Sequence, residues 1–172
     1  MYTRILVPTD GSAVAENVVP AAIELARACR AEILTLSVAV PEPVFQSIEG
    51  VMMVDPGRRG EELLANARAL AEAVTERIRA AGVPSRTMAM LSANAAQAIV
   101  DVADDEDCDL IFMGSHGRRG LSLLLAGSVT QAVLATANAP VMVLRPSATR
   151  HAPTRDDGAD EGGRLNDSER LP

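Results

Sequence analysis

The chain has 172 residues, a formal net charge of −7 and 48% hydrophobic content, a length that fits one domain around one core. A net charge of −7 argues against a general polyanion binder, because releasing counterions from a phosphate backbone needs a basic surface, and two Phe, one Tyr and no Trp offer few platforms for stacking bases, so no nucleic-acid partner is expected. All 16 basic residues are arginine, which removes the P-loop, Schiff-base and nucleotidyl-transfer lysines and the enzyme classes that need them.

The opening MYTRILVPTD shows no charged leader followed by a long apolar segment, and no apolar run approaches about 18 residues. A soluble, cytoplasmic chain with no membrane partner is expected. Arg4 to Val7 reads as a buried strand closed by Pro8 and the turn-like Asp10-Gly11-Ser12. Ser12 then caps a helix from Ala13 to Arg30, whose apolar positions 18, 19, 22, 23, 25 and 26 follow a 3.6 period, with Pro20 near its first turns or kinking it. Glu32 to Val40 is the second strand, closed by Pro41 and Pro43. From Pro41 to Arg59, with a second breaker pair at Pro56-Gly57, a long connection is expected.

Glu61 to Ala81 is rich in helix formers and is stopped by Gly82. Ser85 to Leu91 reads as a third strand, and Asn94 caps a helix through Ile99, Val100 and Ala103. The acids at 104 to 107 and 109 fit a solvated helix end rather than a metal site. Leu110 to Met113 is the fourth strand, Ser128 to Ala137 a helix, and Val141 to Leu144 the fifth strand. Cys29 and Cys108 lack C-x-x-C spacing and read as reduced, partly buried thiols. From Ser147 onward almost nothing is apolar, so residues 147–172 are expected to be a disordered polar tail behind a folded domain of residues 1–146.

Strands alternating with helices imply an α/β fold: a single open parallel sheet with helices on both faces and right-handed crossovers. Ligands in such sheets bind beyond the carboxyl ends of the strands, where the strand order reverses. The fourth strand ends there in MGSHGRRG, and a further glycine at 127 stands just before a helix. Unpaired amides and the positive end of that helix suit phosphate oxygens. Glycine at 114, 117 and 127 is expected because a side chain there would hold a ligand off the amides or forbid a positive φ. Gly120 serves only to loosen the loop. Ser128 and Thr130 supply hydroxyl donors, and Arg118 and Arg119 are placed either to neutralise phosphate charge or as solvated surface. Singly, each glycine fits a plain strand-to-helix link; in the spacing G-x2-G-x9-G-S after an apolar strand they point together to an anion. Neither G-x-G-x-x-G nor G-x4-G-K-[ST] occurs. His116 is assigned to the loop, since no partners for a triad or a metal site are evident; no catalytic residue and no metal ligand is identified.

The motif Gly114, Gly117, Gly127, Ser128, together with the N-terminal ILVPTDGS, resembles the ATP-binding branch of the universal stress proteins over about residues 1 to 146. The resemblance implies a Rossmann-like five-stranded sheet of order 3-2-1-4-5, of the adenine nucleotide α-hydrolase-like kind, and a homodimer joined through the strand Val141 to Leu144. It implies ATP as ligand, with a phosphate-bound divalent cation such as Mg. By position, Pro8, Thr9 and Asp10 would line the nucleoside, Val38 the adenine, and Met113 and Gly114 the nucleoside edge. Gly117 and the loop beyond it, with Arg118, would follow the phosphates, and Ser128, Val129 and Thr130 would meet the β and γ phosphates. The expected function is a nucleotide-dependent regulatory or stress-response factor with slow or absent hydrolysis. The alternatives are a slow ATPase of the same fold and a dimeric scaffold that binds partners without nucleotide.

Overall fold

The computed structural model describes residues 1–41, 56–115 and 127–145. In chain order the elements are β1 (Arg4–Pro8), α1 (Ala13–Cys29), β2 (Glu32–Ala39), α2 (Pro56–Ala80), β3 (Ser85–Leu91), α3 (Ala95–Asp105), β4 (Leu110–Gly114), α4 (Ser128–Thr136) and β5 (Val141–Leu144). The five strands are all parallel and lie in the order β3-β2-β1-β4-β5, the order the resemblance implies. The chain therefore steps outward from β1 to β3, then returns to the other side of β1 for β4 and β5. The reversal between β1 and β4 leaves a crevice at their carboxyl ends.

Alternation along the strands divides the core between the two faces of the sheet. Ile5, Val7, Ile33, Leu110 and Phe112 meet Val18, Val19, Ala22 and Ala26 of α1 and Val74 and Ile78 of α2. On the opposite face Leu6, Leu34, Leu36, Ile111 and Met113 meet Ile99, Val100 and Ala103 of α3 and Val133 of α4. The aliphatic composition suffices because the interiors of β1, β2 and β4 are buried on both faces.

Local signals account for most boundaries. The Ser12 hydroxyl accepts from the Ala15 amide at 3.2 Å and the Asn94 side chain accepts from Gln97 at 3.2 Å, each satisfying a first-turn donor. Pro20 stands inside α1 on its exposed side, forgoing only the bond to the Glu16 carbonyl. Gly82 takes a φ of +78° and donates its amide to Arg79 at 2.8 Å, closing α2. One expectation is corrected: α2 starts at Pro56, so Pro56-Gly57 belongs to a helix and not to the connection. Proline fits the first turn because its φ is already helical and its missing N–H has no partner to lose there. The remainder of the expected connection, residues 42–55, and the expected tail lie outside the described residues.

At the amino end of the sheet, Arg4 pairs with Glu32 and donates to the Glu106 carbonyl, while Arg86 reaches Glu106 at 2.8 Å. The Asp109 carboxylate accepts from the Thr3 amide and hydroxyl at 2.7 Å each and from the Arg4 amide at 3.1 Å. These contacts tie the starts of four strands together.

Candidate functional site

The carboxyl end of β1 turns sharply into α1. The Thr9 amide donates to the Leu36 carbonyl at 2.8 Å, anchoring the end of β1 to β2. The Thr9 hydroxyl accepts from Gly11 at 3.2 Å, and Asp10 accepts from the Ser12 amide at 3.0 Å. Gly11 has a φ of +73°, a conformation that favours glycine. Pro8 and Asp10 are half-buried at this edge, and Thr9 is buried.

The carboxyl end of β4 is strapped directly to the start of α4. The Ser115 carbonyl accepts from the Gly127 amide at 2.6 Å, and the Ser115 amide donates to Leu144 of β5 at 2.9 Å. The Thr130 hydroxyl donates to the Gly114 carbonyl at 3.0 Å, and Thr130 is buried. Residues on either side of the 116–126 segment are thereby held together, and the first turn of α4 sits at the tip of β4. Gly127 offers no capping side chain, Ser128 and Val129 are exposed, and the first intrahelical bond is donated by Gln131 to Gly127. The amides of residues 128 to 130 belong to the class of helix-start donors that must be served from outside the helix.

Three roles expected for site residues are altered by this geometry. A Cβ at Gly114 would stand 2.7 Å from Val14 Cγ1 and 3.2 Å from the Val14 carbonyl, so glycine is required there by the close approach of α1. Neither Gly114 nor Gly127 has a positive φ; that of Gly127 is −58°. The Gly127 amide is not bare, being bonded to Ser115, and the Thr130 hydroxyl holds the strand end instead of facing outward. Met113 packs its side chain in the core, so only its backbone belongs to the rim. Val38 is half-buried against the same core, near the end of β2. Gly117 and Arg118, with His116, Arg119 and Gly120, lie outside the described residues. Ser115 and Val14 were not singled out from the sequence. Ser115 stands inside the glycine motif and was legible there, whereas nothing local marks Val14 as the residue that demands Gly114.

At the opposite end of the sheet, a hollow of about 380 Å³ is lined by Asp104, Asp107, Cys108, Asp109, Asn138 and Pro140, among others. Burial pushes the Cys108 thiol up to about 11, which keeps it protonated and unreactive near neutrality. Among the described residues no cluster of His, Cys, Asp or Glu is arranged to hold a metal ion. No helix among them is long and apolar enough to cross a membrane.

Residues 1–145 match the model of the universal stress protein family. The chain belongs to the universal stress protein family. Universal stress protein MJ0531 of Methanocaldococcus jannaschii is 33% identical over 149 residues, covering 84% of this chain and 83% of that protein. Among solved structures, protein MJ0577 superposes with a TM-score of 0.72 at 29% identity, covering 85% of this universal stress protein and 97% of its counterpart. A universal stress protein from Archaeoglobus fulgidus in complex with dAMP superposes with a TM-score of 0.52 at 26% identity, over 83% and 97% of the two chains.

Proposed function

We propose that this protein binds ATP in the crevice between β1 and β4 and acts as a nucleotide-dependent regulatory factor in a stress response. The observation that carries this reading is the start of α4, which has no capping side chain and is fastened to the tip of β4 at the point where the strand order reverses. Helix-start amides and the helix dipole favour phosphate oxygens in such a position. In this reading the amides of Ser128, Val129 and Thr130 meet the β and γ phosphates, with Gly117 and Arg118 following the chain of phosphates. The rim at Pro8, Thr9, Asp10 and the Met113-Gly114 backbone lines the nucleoside, and Val38 faces the adenine. The dAMP complex of the Archaeoglobus fulgidus relative supports an adenine nucleotide as the ligand class.

A divalent cation such as Mg would be held by the phosphates themselves, since the described residues supply no ligand cluster of their own. Hydrolysis is slow or absent in this reading: phosphoryl transfer needs a residue that positions water and carboxylates that hold the metal, and of the described rim residues named above only Asp10 carries a carboxylate. The nucleotide then serves as an occupancy signal in the cytoplasm, read by a homodimer joined through β5.

A thermal melt with and without nucleotide tests the proposal. ATP at about a hundredfold over its dissociation constant should stabilise the fold by roughly 2.7 kcal/mol, a shift of a few degrees. A wild-type chain whose melting temperature ignores every adenine nucleotide would overturn the reading and leave a nucleotide-free scaffold in its place.

A further inference from the structure

The last β1 residue in the sheet register is Pro8, which pairs with Leu36, whereas β2 runs on to Ala39 and β3 to Leu91. The ends of β2 and β3 therefore project past β1 as a step beside the crevice, and the Ser92 amide closes that step by donating to the Ala39 carbonyl at 3.0 Å. Val38 and Met90 are register partners on this step and pack against the core on the α3 and α4 face, the face that carries the start of α4. Both remain half-exposed. The cause is the placement of the helices: α2 covers β2 and β3 from the other face, while α3 lies on β2 and against α4.

Resting on the nucleotide reading above, we propose that Met90 is a specificity-determining residue whose thioether, beside Val38, forms the apolar bed for the purine base. Neighbouring strands lie about 4.8 Å apart, so a base delivered to β2 by a ribose over β1 overlaps the row of β3 as well. A purine is flat, apolar on its faces and aromatic, and a flexible, polarisable thioether conforms to such a surface with a favourable sulfur–ring contact. The phosphate cradle reads charge alone. The Val38–Met90 step supplies the part of the site that separates a nucleotide from a bare polyphosphate.

Titration calorimetry with ATP and with inorganic triphosphate separates the parts of the site in wild type, Met90→Ala and Met90→Leu. Met90→Ala should weaken ATP about five- to tenfold and leave triphosphate unchanged, while Met90→Leu, which keeps an apolar side chain of similar size, stays within about twofold of wild type for both. Melting temperatures without ligand should differ little among the three, since the side chain is half-exposed near the end of an edge strand. Wild-type binding of ATP with an unaltered affinity in Met90→Ala would overturn the role of Met90 and leave the nucleotide reading standing. Equal weakening of ATP and triphosphate in Met90→Ala would also overturn it, because the substitution would then act on the frame and not on the base. Failure of the wild-type protein to bind either ligand would sink the nucleotide reading itself.

Discussion

Gly114 and Gly127 carry the same letter in one motif and do different physical work. Gly114 lets the first turn of α1 lie against the end of β4, where an added methyl would meet Val14 at 2.7 Å. Gly127 sits at a helix start with a φ of −58° and a ψ of 157°, a conformation open to any L-residue. Substitutions at the two positions should therefore separate folding from binding. Gly114→Ala is expected to cost about 1–3 kcal/mol of stability through overpacking, visible in denaturant unfolding without any ligand. Gly127→Val should cost no more than about 1 kcal/mol, the order of a poor cap, yet abolish the melting shift with ATP because its branched side chain stands in front of the α4 amides. A full ATP shift in Gly127→Val would remove the phosphate from that helix start. The motif itself was legible in the sequence. The reason for its first glycine was not, since the demand comes from Val14, a residue far away in the chain that folding brings alongside.

At the level of elements, β1, β2 and β4 were legible because short apolar runs there met Pro or Gly, and β3 and β5 have the bounds their patterns predict. Helix caps at Ser12 and Asn94 were legible for a local reason: short polar side chains reach back to amides three residues on. The start of α2 was hidden because Pro-Gly ends one element as readily as it opens another. Unseen, too, was the fastening at the amino end of the sheet, where Asp109 of the supposed solvated run takes three hydrogen bonds from Thr3 and Arg4. Burial works against its charge, but the bonds from the Thr3 hydroxyl and from the Thr3 and Arg4 amides prevail and hold the carboxyl below its ordinary value. A group whose folded-state value lies below its unfolded one stabilises the fold above the unfolded value, and that contribution disappears as pH falls through the folded value. Asp109→Ala should thus cost about 1 kcal/mol at neutral pH, the worth of a partly exposed charged hydrogen-bond set. The gap between mutant and wild type should narrow once the pH drops below about 4, the range of an ordinary aspartate. Denaturant midpoints measured across that range check it, and a gap constant down to acid pH would show that the carboxylate charge contributes nothing.

For the whole molecule, the open question is what covers the outer edge of β5. Its inner edge is paired with β4, and all four residues from Val141 to Leu144 keep some exposure, Met142 the most at 39%. Among the described residues no strand pairs with that outer edge, which makes it a template for a second strand, and the proposed homodimer would supply one from a second copy of this chain. The register shows how to test that pairing without disturbing the sheet. The Pro140 and Leu144 carbonyls accept from Ile111 and Ser115, so the even-numbered residues of β5 face β4 and the amide of Val143 points away from it. Val143→Pro removes that outward donor at a position where an edge strand tolerates proline. The variant should stay folded by circular dichroism and sediment as a monomer, against the dimer expected of the wild-type chain. Two protomers of charge −7 also repel each other, so the proposed dimer should tighten as salt rises from about 0.01 to 0.15 M and the screening length falls from roughly 30 to 8 Å. A folded Val143→Pro chain that still sediments as a dimer would place the contact on another surface, since the proline takes an outward ladder hydrogen bond from the centre of β5 in each copy.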